Sequence, residues 1–233
     1  MGAPALAPSP SLVDRVTLLL ERVDYRRADA TEVRDQIYRL RYLAYRRETA
    51  IQSNHNKRFS DTYDDLPNAF TFGLYIDDKL ASSFRMHVST EKYSDLPAAH
   101  VFPEILKPEI EAGKTIIDPT RFVADADAAR LYPELPYATV RLGYLAAEYF
   151  SADIVLATVR AEHQAFYKRV FGHRPICPPR PYPTLSKPIS LMTLHFPPAR
   201  EQIIRRYPFF HSTAFERRML FERQAKVAQR SAA

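Results

Sequence analysis

Glycine is scarce in this 233-residue chain. There are five, Gly2, Gly73, Gly113, Gly143 and Gly172, and no two lie closer than 29 positions. A loop that cradles nucleotide phosphates needs several glycines within a few residues, so that backbone can approach the phosphates with no Cβ in the way. The dinucleotide-binding G-x-G-x-x-G, the P-loop and the kinase glycine loop are therefore excluded. Tryptophan is absent, and cysteine occurs once, at Cys177. A single cysteine excludes a disulfide within the chain, a cysteine zinc site and a Cys-x-x-Cys redox pair. It fits a reducing, cytoplasmic location. The seven histidines show no H-E-x-x-H or other ligand spacing, so no metal is expected. No apolar run approaches the roughly 18 residues of a membrane span, so no transmembrane segment is expected. The start, MGAPALAPSP, lacks the basic region and apolar core of a secretory signal. Leu6 stands where an N-myristoylation motif needs Ser or Thr. Residues 1–10 read as a disordered tail.

Proline, by contrast, is abundant at 19 residues, and the charge is uneven. The net charge is +6, distributed as +1 over residues 1–67, zero over 68–196 and +5 over 197–233. Nucleic-acid binding wants a basic stripe across the fold. A neutral body with a basic end instead fits either a local docking surface for an acidic partner or a solvated helix face.

Hydrophobic periodicity predicts helices at 11–22, 30–46 (N-cap Thr31), 137–151 and 161–171, the last ended by Gly172. Strands are predicted at 23–27, 69–76, 80–89, 114–124, 153–160 and 189–196. A helical turn is expected at 103–112 and two basic helices at 199–206 and 213–229. Residues 47–67 read as a long polar loop, of the kind that carries function or is disordered. Six prolines make 175–188 irregular. The order is α, β, α, β, β, β, α, β, α, β, which makes an α+β (mixed α/β) domain. It resembles the fold of the GCN5-related N-acetyltransferases (GNAT).

Four clusters carry candidate chemistry. Lys114–Ala124 reads as a strand, yet Pro119 stands in its middle and cannot donate a ladder hydrogen bond, which forces a bulge or a break. Bulges gather beside active sites. Asp118 and Arg121 flank the proline; alone, they suit a surface ion pair as well as a site. Asp61-Thr-Tyr-Asp64-Asp65 suits a solvated loop or a pocket for a cationic amine, and it lacks the spacing of a calcium loop. Tyr38, Arg41, Tyr42 and Tyr45 stripe one helix; an arginine on a buried face needs an anionic partner. Arg85, flanked at two-residue spacing by Ser83 and His87, either faces solvent or reaches a carboxylate.

Together these segments resemble the acyl-homoserine-lactone (autoinducer) synthases and their relatives, the N-acyl amino acid synthases. The likeness runs through Arg41-x3-Tyr45-x5-Ile51, Asp61-Thr-Tyr63-Asp64, Ser83-Phe-Arg85-Met and Asp118-Pro-Thr120-Arg121-Phe122, in order, over residues 35–125. The family pattern has Phe, Trp and Glu where this chain has Tyr45, Ile51 and Asp118. In the lactone synthases the aromatic pair lines the region for S-adenosylmethionine. The missing tryptophan therefore favours the N-acyl amino acid synthase branch.

The resemblance implies a GNAT-like domain at 11–196, a central mixed sheet with a bulged, splayed strand and helices on both faces. A basic helical extension would follow at 197–233. It implies transfer of a fatty acyl chain to the α-amine of an amino acid. The donor would be the acyl-phosphopantetheine of an acyl carrier protein, with no cofactor bound permanently. GNAT enzymes that use coenzyme A usually carry R/Q-x-x-G-x-G/A at a strand–helix junction. Here Arg141-Leu-Gly143-Tyr is out of that frame, so acyl-CoA is the alternative donor. Asp118 is the candidate base. Arg41, Tyr45, Asp61, Asp64, Arg85, Arg121 and Phe122 would shape the acceptor pocket. Amides near Pro119 would hold the oxyanion. Tyr167 matches a position where many GNAT enzymes place an acid for the leaving thiolate, and it suits a core tyrosine equally. Arg46, Arg47, Lys168 and Arg169 would dock the acidic carrier protein. Strands 69–76 and 189–196 would line an acyl tunnel. Three other readings compete: a CoA-dependent acetyltransferase of a small amine, a true lactone synthase, and a basic DNA-binding module.

Overall fold

The computed structural model describes residues 9–182 and 185–222. Residues 1–8 of the tail expected at 1–10, and the basic stretch after 222, lie outside the described residues. The chain opens with helix α1 (Leu12–Leu20), where Ser11 and Asp14 form a capping box. Strand β1 (Val23–Arg27) and helix α2 (Thr31–Arg47) follow. Ala30, in extended conformation, is the N-cap of α2, one residue before the expected Thr31. Strands β2 (Ala69–Ile76) and β3 (Lys79–Ser89) form the expected hairpin. Two short helices, α3 (Pro97–Val101) and α4 (Pro103–Glu111), precede β4 (Ile116–Ala124). Helices α5 (Ala126–Leu131) and α6 (Leu135–Tyr149), strand β5 (Ile154–Val159) and helix α7 (Gln164–Phe171) come next. The chain then adds β6 (Arg174–Pro175), β7 (Ser190–His195), α8 (Phe196–Arg206) and α9 (Ala214–Phe221).

The seven strands lie in the order β1-β2-β3-β4-β5-β7-β6. Among the described residues only β4 and β5 run parallel, and they pair through just Ile116–Ile154 and Ile117–Val155. Beyond these two pairs the strands part, and Pro119, with no N–H to offer, stands in the stretch that leaves β5. Pro119 itself keeps register with Met86 on β3. The bulge falls two residues later than expected. Ser83 pairs with Val123 and Arg85 with Thr120, so Phe84 alone faces both Arg121 and Phe122. Arg121 takes φ +53°, a left-handed conformation that costs a non-glycine residue about 1–3 kcal/mol. The proline ends the pairing with β5, while the extra residue kinks the pairing with β3.

Helices cover both faces of the sheet. On one side, α3 and α4 seat Leu96, Phe102 and Leu106 against Ile116, Ile154 and Leu191. On the other, α6 is almost wholly buried between the sheet and the C-terminal segment. The expected basic extension is in fact part of this second core. Phe196, Ile203, Tyr207, Phe209, Phe210 and Phe221 pack with Phe70, Phe72 and Phe84. Aromatic side chains bury the largest areas of any residue type, and here they outweigh the charge of the segment. Arg141 ties the segment down: it donates to the carbonyls of Phe209 and His211, each at 2.7 Å, and pairs with Glu216.

Candidate active site

Three arginines and two aspartates from four segments converge at the edge of the splay. The polar loop after α2 is ordered around a 3-10 turn, Thr62–Asp65, closed by a capping box of Asp61 and Asp64. That turn aims both carboxylates inward. Arg41, on the buried face of α2, donates to Asp64 at 2.7 Å. Arg85, on β3, reaches Asp61 at 2.6 Å and Asp64 at 2.9 Å, and its Nε donates to Thr120 Oγ at 3.0 Å. The bulge at Arg121 turns its guanidinium onto Asp61 as well, with Nε at 3.1 Å. The Arg121 guanidinium also stacks 4.7 Å from the Phe59 ring and 5.6 Å from the Tyr45 ring.

The network is nearly dry: the side chains of Arg41 and Arg85 are fully buried and that of Asp64 is 1% exposed. Burial alone would raise the Asp61 carboxyl, but hydrogen bonds and charge from Arg85 and Arg121 hold it well below the usual range. Asp64 is lowered in the same way, burial being outweighed by Arg41 and Arg85. Three guanidinium groups therefore face two carboxylates, and one buried positive charge is left over. Among the described residues, Nε and Nη2 of Arg41 meet no hydrogen-bond partner.

Asp118 stands apart from this network. It does not pair with Arg121, as the spacing of three allowed; its Oδ2 accepts from the Ala98 N–H at 2.9 Å and its Oδ1 has no partner among the described residues. Burial pushes its carboxyl up to about 7, with the Ala98 N–H and the Arg85 charge only partly opposing. Directly across the ladder is His87, which shares its face of the sheet. Burial, then the Arg85 charge, lowers the His87 ring to about 4. The neutral ring donates from Nε2 to the Tyr63 carbonyl at 2.8 Å, leaving Nδ1 as an unpartnered acceptor.

A cavity of about 420 Å³ fills the wedge between β4 and β5. Tyr45, Thr120 and Arg121 wall one side, and Phe84, Pro119 and Tyr167 wall the other. Phe122 and Arg47 also line it. Asp118 does not, although it lies two residues from Thr120 on the same strand face. Tyr167 forms wall, with burial raising its hydroxyl. Of the expected docking residues, Arg46 is exposed and donates to the Ile51 carbonyl. Lys168 and Arg169 are exposed at the last turn of α7. Arg206 of α8 donates to the Arg169 carbonyl at 3.3 Å, bringing a further cation to that corner. Of the strands expected to line an acyl tunnel, 189–196 gives Ile189 and Leu194 to the cavity walls, while no residue of β2 lines either cavity, because two strands separate β2 from the splay.

Phe59, Thr120, His87 and Tyr182 were not singled out as site residues by sequence reasoning. Phe59 is one aromatic in a polar loop, and Tyr182 sits among prolines. Burial raises the Tyr182 hydroxyl, which also feels the charges of Arg121 and Asp118.

A parallel strand pair that opens into a wedge, with a bulge at its lip, is the layout of the GNAT-like acyltransferases, and solved structures share it. FeeM, an N-acyl amino acid synthase from uncultured soil microbes, aligns with TM-score 0.66 at 20% identity, covering 79% of this chain and 96% of that one. The acyl-homoserine-lactone synthase LasI aligns with TM-score 0.58 at 13% identity, covering 73% and 88%. BjaI, a CoA-dependent acyl-homoserine-lactone synthase, gives 0.54 at 16% identity, covering 76% and 82%. No curated protein matches the chain. The family model of the N-acyl amino acid synthase FeeM matches residues 36–195, and the chain belongs to that family. It is an acyltransferase.

Proposed function

We propose that the enzyme moves a fatty acyl chain from an acyl carrier protein to the α-amine of an amino acid. The observation that carries this reading is the leftover positive charge of the Arg41–Asp64–Arg85–Asp61–Arg121 network, whose Arg121 lines the cavity. A buried excess cation calls for an anion, and an amino acid carboxylate can take Arg121 by charge-assisted hydrogen bonds.

In the step itself, the amine lone pair attacks the thioester carbonyl carbon, forming the C–N bond. The N–H proton passes to Asp118 through a water held between Asp118 and His87. A base that titrates near 7 is matched to working pH. Backbone N–H groups freed by the Arg121–Phe122 bulge stabilise the oxyanion. Collapse breaks the C–S bond, and the sulfur leaves with the electron pair and takes up a proton, from Tyr167 or from solvent. The product is the N-acyl amino acid and free pantetheine thiol.

The donor reading rests on the start of α6. Glu134, buried and paired with Arg15, occupies its N-cap, and Pro136 lacks an N–H. A carboxylate and a missing donor both oppose a pyrophosphate there. Gly143 lies two turns further in, away from the junction where a cradle would be needed. A pantetheine carried by a protein needs no such cradle.

The test supplies purified enzyme with long-chain acyl carrier protein and mixed amino acids, and reads N-acyl products by mass spectrometry. Product is expected with wild type and lost with Asp118→Ala and Arg121→Ala. Wild-type turnover in both variants overturns the site. Equal turnover of the matching CoA thioester overturns the donor.

A further inference from the structure

We infer that Gly143 sets the longest acyl chain this enzyme accepts, by keeping open a passage from the main cavity into an inner chamber behind Phe84. The inference rests on the acyl-transfer reading above and identifies the residue that limits the donor.

A second cavity, of about 30 Å³, lies inside the core on the α6 side of the sheet. It shares three wall residues with the main cavity: Phe84, Pro119 and Tyr167. Those three side chains are the partition between the two spaces. The main cavity has a polar rim with Arg121, Arg160 and Lys187. The inner chamber offers apolar surface only, and Phe171, His173 and Phe196 are among its walls. His173 is 3% exposed, and burial lowers its ring to about 4, so it brings no charge to the chamber at neutral pH. A space of this size takes about two or three water-sized groups. It suits the last carbons of a chain whose thioester lies at the bulge.

Gly143 stands in the interior of α6, on a side facing β3 and β4. Glycine there is about 1 kcal/mol worse than alanine for the helix. Space explains its presence: a Cβ would lie 3.3 Å from Phe84 Cζ and 4.0 Å from Pro119 Cγ. Those are two of the three partition side chains. A side chain at 143 therefore crowds Phe84 by a few tenths of an ångström, meets Pro119 at ordinary contact, and takes volume from the chamber. No charged group or hydrogen bond is involved, so the effect is one of length alone.

The experiment presents full-length enzyme with an equimolar series of saturated straight-chain acyl carrier proteins and one accepted amino acid. Mass spectrometry reads the distribution of product lengths. Gly143→Ala is expected to shift the distribution to shorter chains. The ratio of the longest to the shortest accepted chain should fall about tenfold or more, as one methylene in an apolar pocket is worth roughly 10–200-fold. Gly143→Ala combined with Phe84→Leu should move the distribution back toward longer chains. Phe84→Leu alone should extend it past wild type, which keeps the test open should Gly143→Ala fold poorly. A purely packing role for Gly143 predicts changed thermal stability with an unchanged distribution, and that result overturns the inference. Absence of N-acyl product from wild type instead removes the acyl-transfer reading, and the inference falls with it.

Discussion

The two faces of the antiparallel β3–β4 pair differ sharply in chemistry. One face carries Arg85, His87, Asp118 and Thr120; the other carries Phe84, Met86, Ile117 and Pro119. Both sets are buried or nearly so, and they alternate residue by residue along the same two strands. A sheet with helices on both faces usually reads as continuous apolar strands. Here one buried face is ionic, and its charges are balanced by a loop, not by solvent. The difference separates two tasks. On the proposed function, the ionic face would orient a small charged acceptor, the apolar face would hold hydrocarbon, and the two meet at the β4–β5 wedge.

The largest expected effect is on the ionic face. Asp118→Asn should lower kcat/KM by about 10²–10⁴, the usual contribution of a general base. In wild type the activity should rise as pH passes through about 7, as the carboxyl loses its proton, and this limb should vanish in the variant. Stability should move the opposite way. A carboxyl titrating near 7 when folded and near 4 when unfolded holds a proton only in the native state between those values. Folding stability is therefore lost as pH rises from about 4 to 7, by a few kcal/mol at most. Asp118→Asn should flatten that decline, as read by urea titrations at several pH values.

Next is Arg85→Ala, which strands Asp61 and Asp64 without their shared partner. Breaking a buried ion pair from one side costs about 3–5 kcal/mol, and denaturant midpoints should show it. Tyr167→Phe then sharpens the division between faces. A tyrosine serving only as apolar wall should keep kcat within about tenfold, whereas loss of a general acid should cost about 10²-fold or more. The smallest effect is outside both faces. Charge reversal of Lys168 and Arg169 to Glu should raise KM for acyl carrier protein while leaving thermal stability within about 0.5 kcal/mol. The KM difference should shrink at high salt.

Much of this was legible in the primary structure because it was local. The hairpin, α6, β5 and the glycine-capped α7 follow from periodicity and punctuation alone. The arginine–aspartate network was legible as a set of residues, because a helix-face arginine must find an anion and the loop offered three. Its wiring was not legible: nothing in the spacing says that Asp61 is shared by Arg85 and Arg121, or that Asp118 turns to Ala98. Pro119 announced a disturbed strand but not which neighbour would be disturbed. The proline removes a donor, while the bulge depends on Arg121 adopting positive φ to reach Asp61. The helix Ala126–Leu131 was missed because it is only six residues long. The C-terminal segment was misjudged by charge; its aromatic residues are spaced irregularly, and a burial set by tertiary contact leaves no period to read.

The C-terminal aromatics bear on how the enzyme is made. The Phe221 ring packs against Phe70 and Phe72, at centroid distances of 6.1 and 5.7 Å, although some 150 residues separate them in the chain. A domain of this kind gathers its sheet as it emerges from the ribosome, but the outer side of α6 and the Phe70–Phe72 patch stay uncovered until Phe221 has been synthesised. The nascent enzyme therefore carries a bare apolar patch for most of its synthesis. Quality control by chaperones would meet this protein at that patch, and a stop codon shortly before 221 should yield a chain that is captured and degraded, not a slightly shortened enzyme.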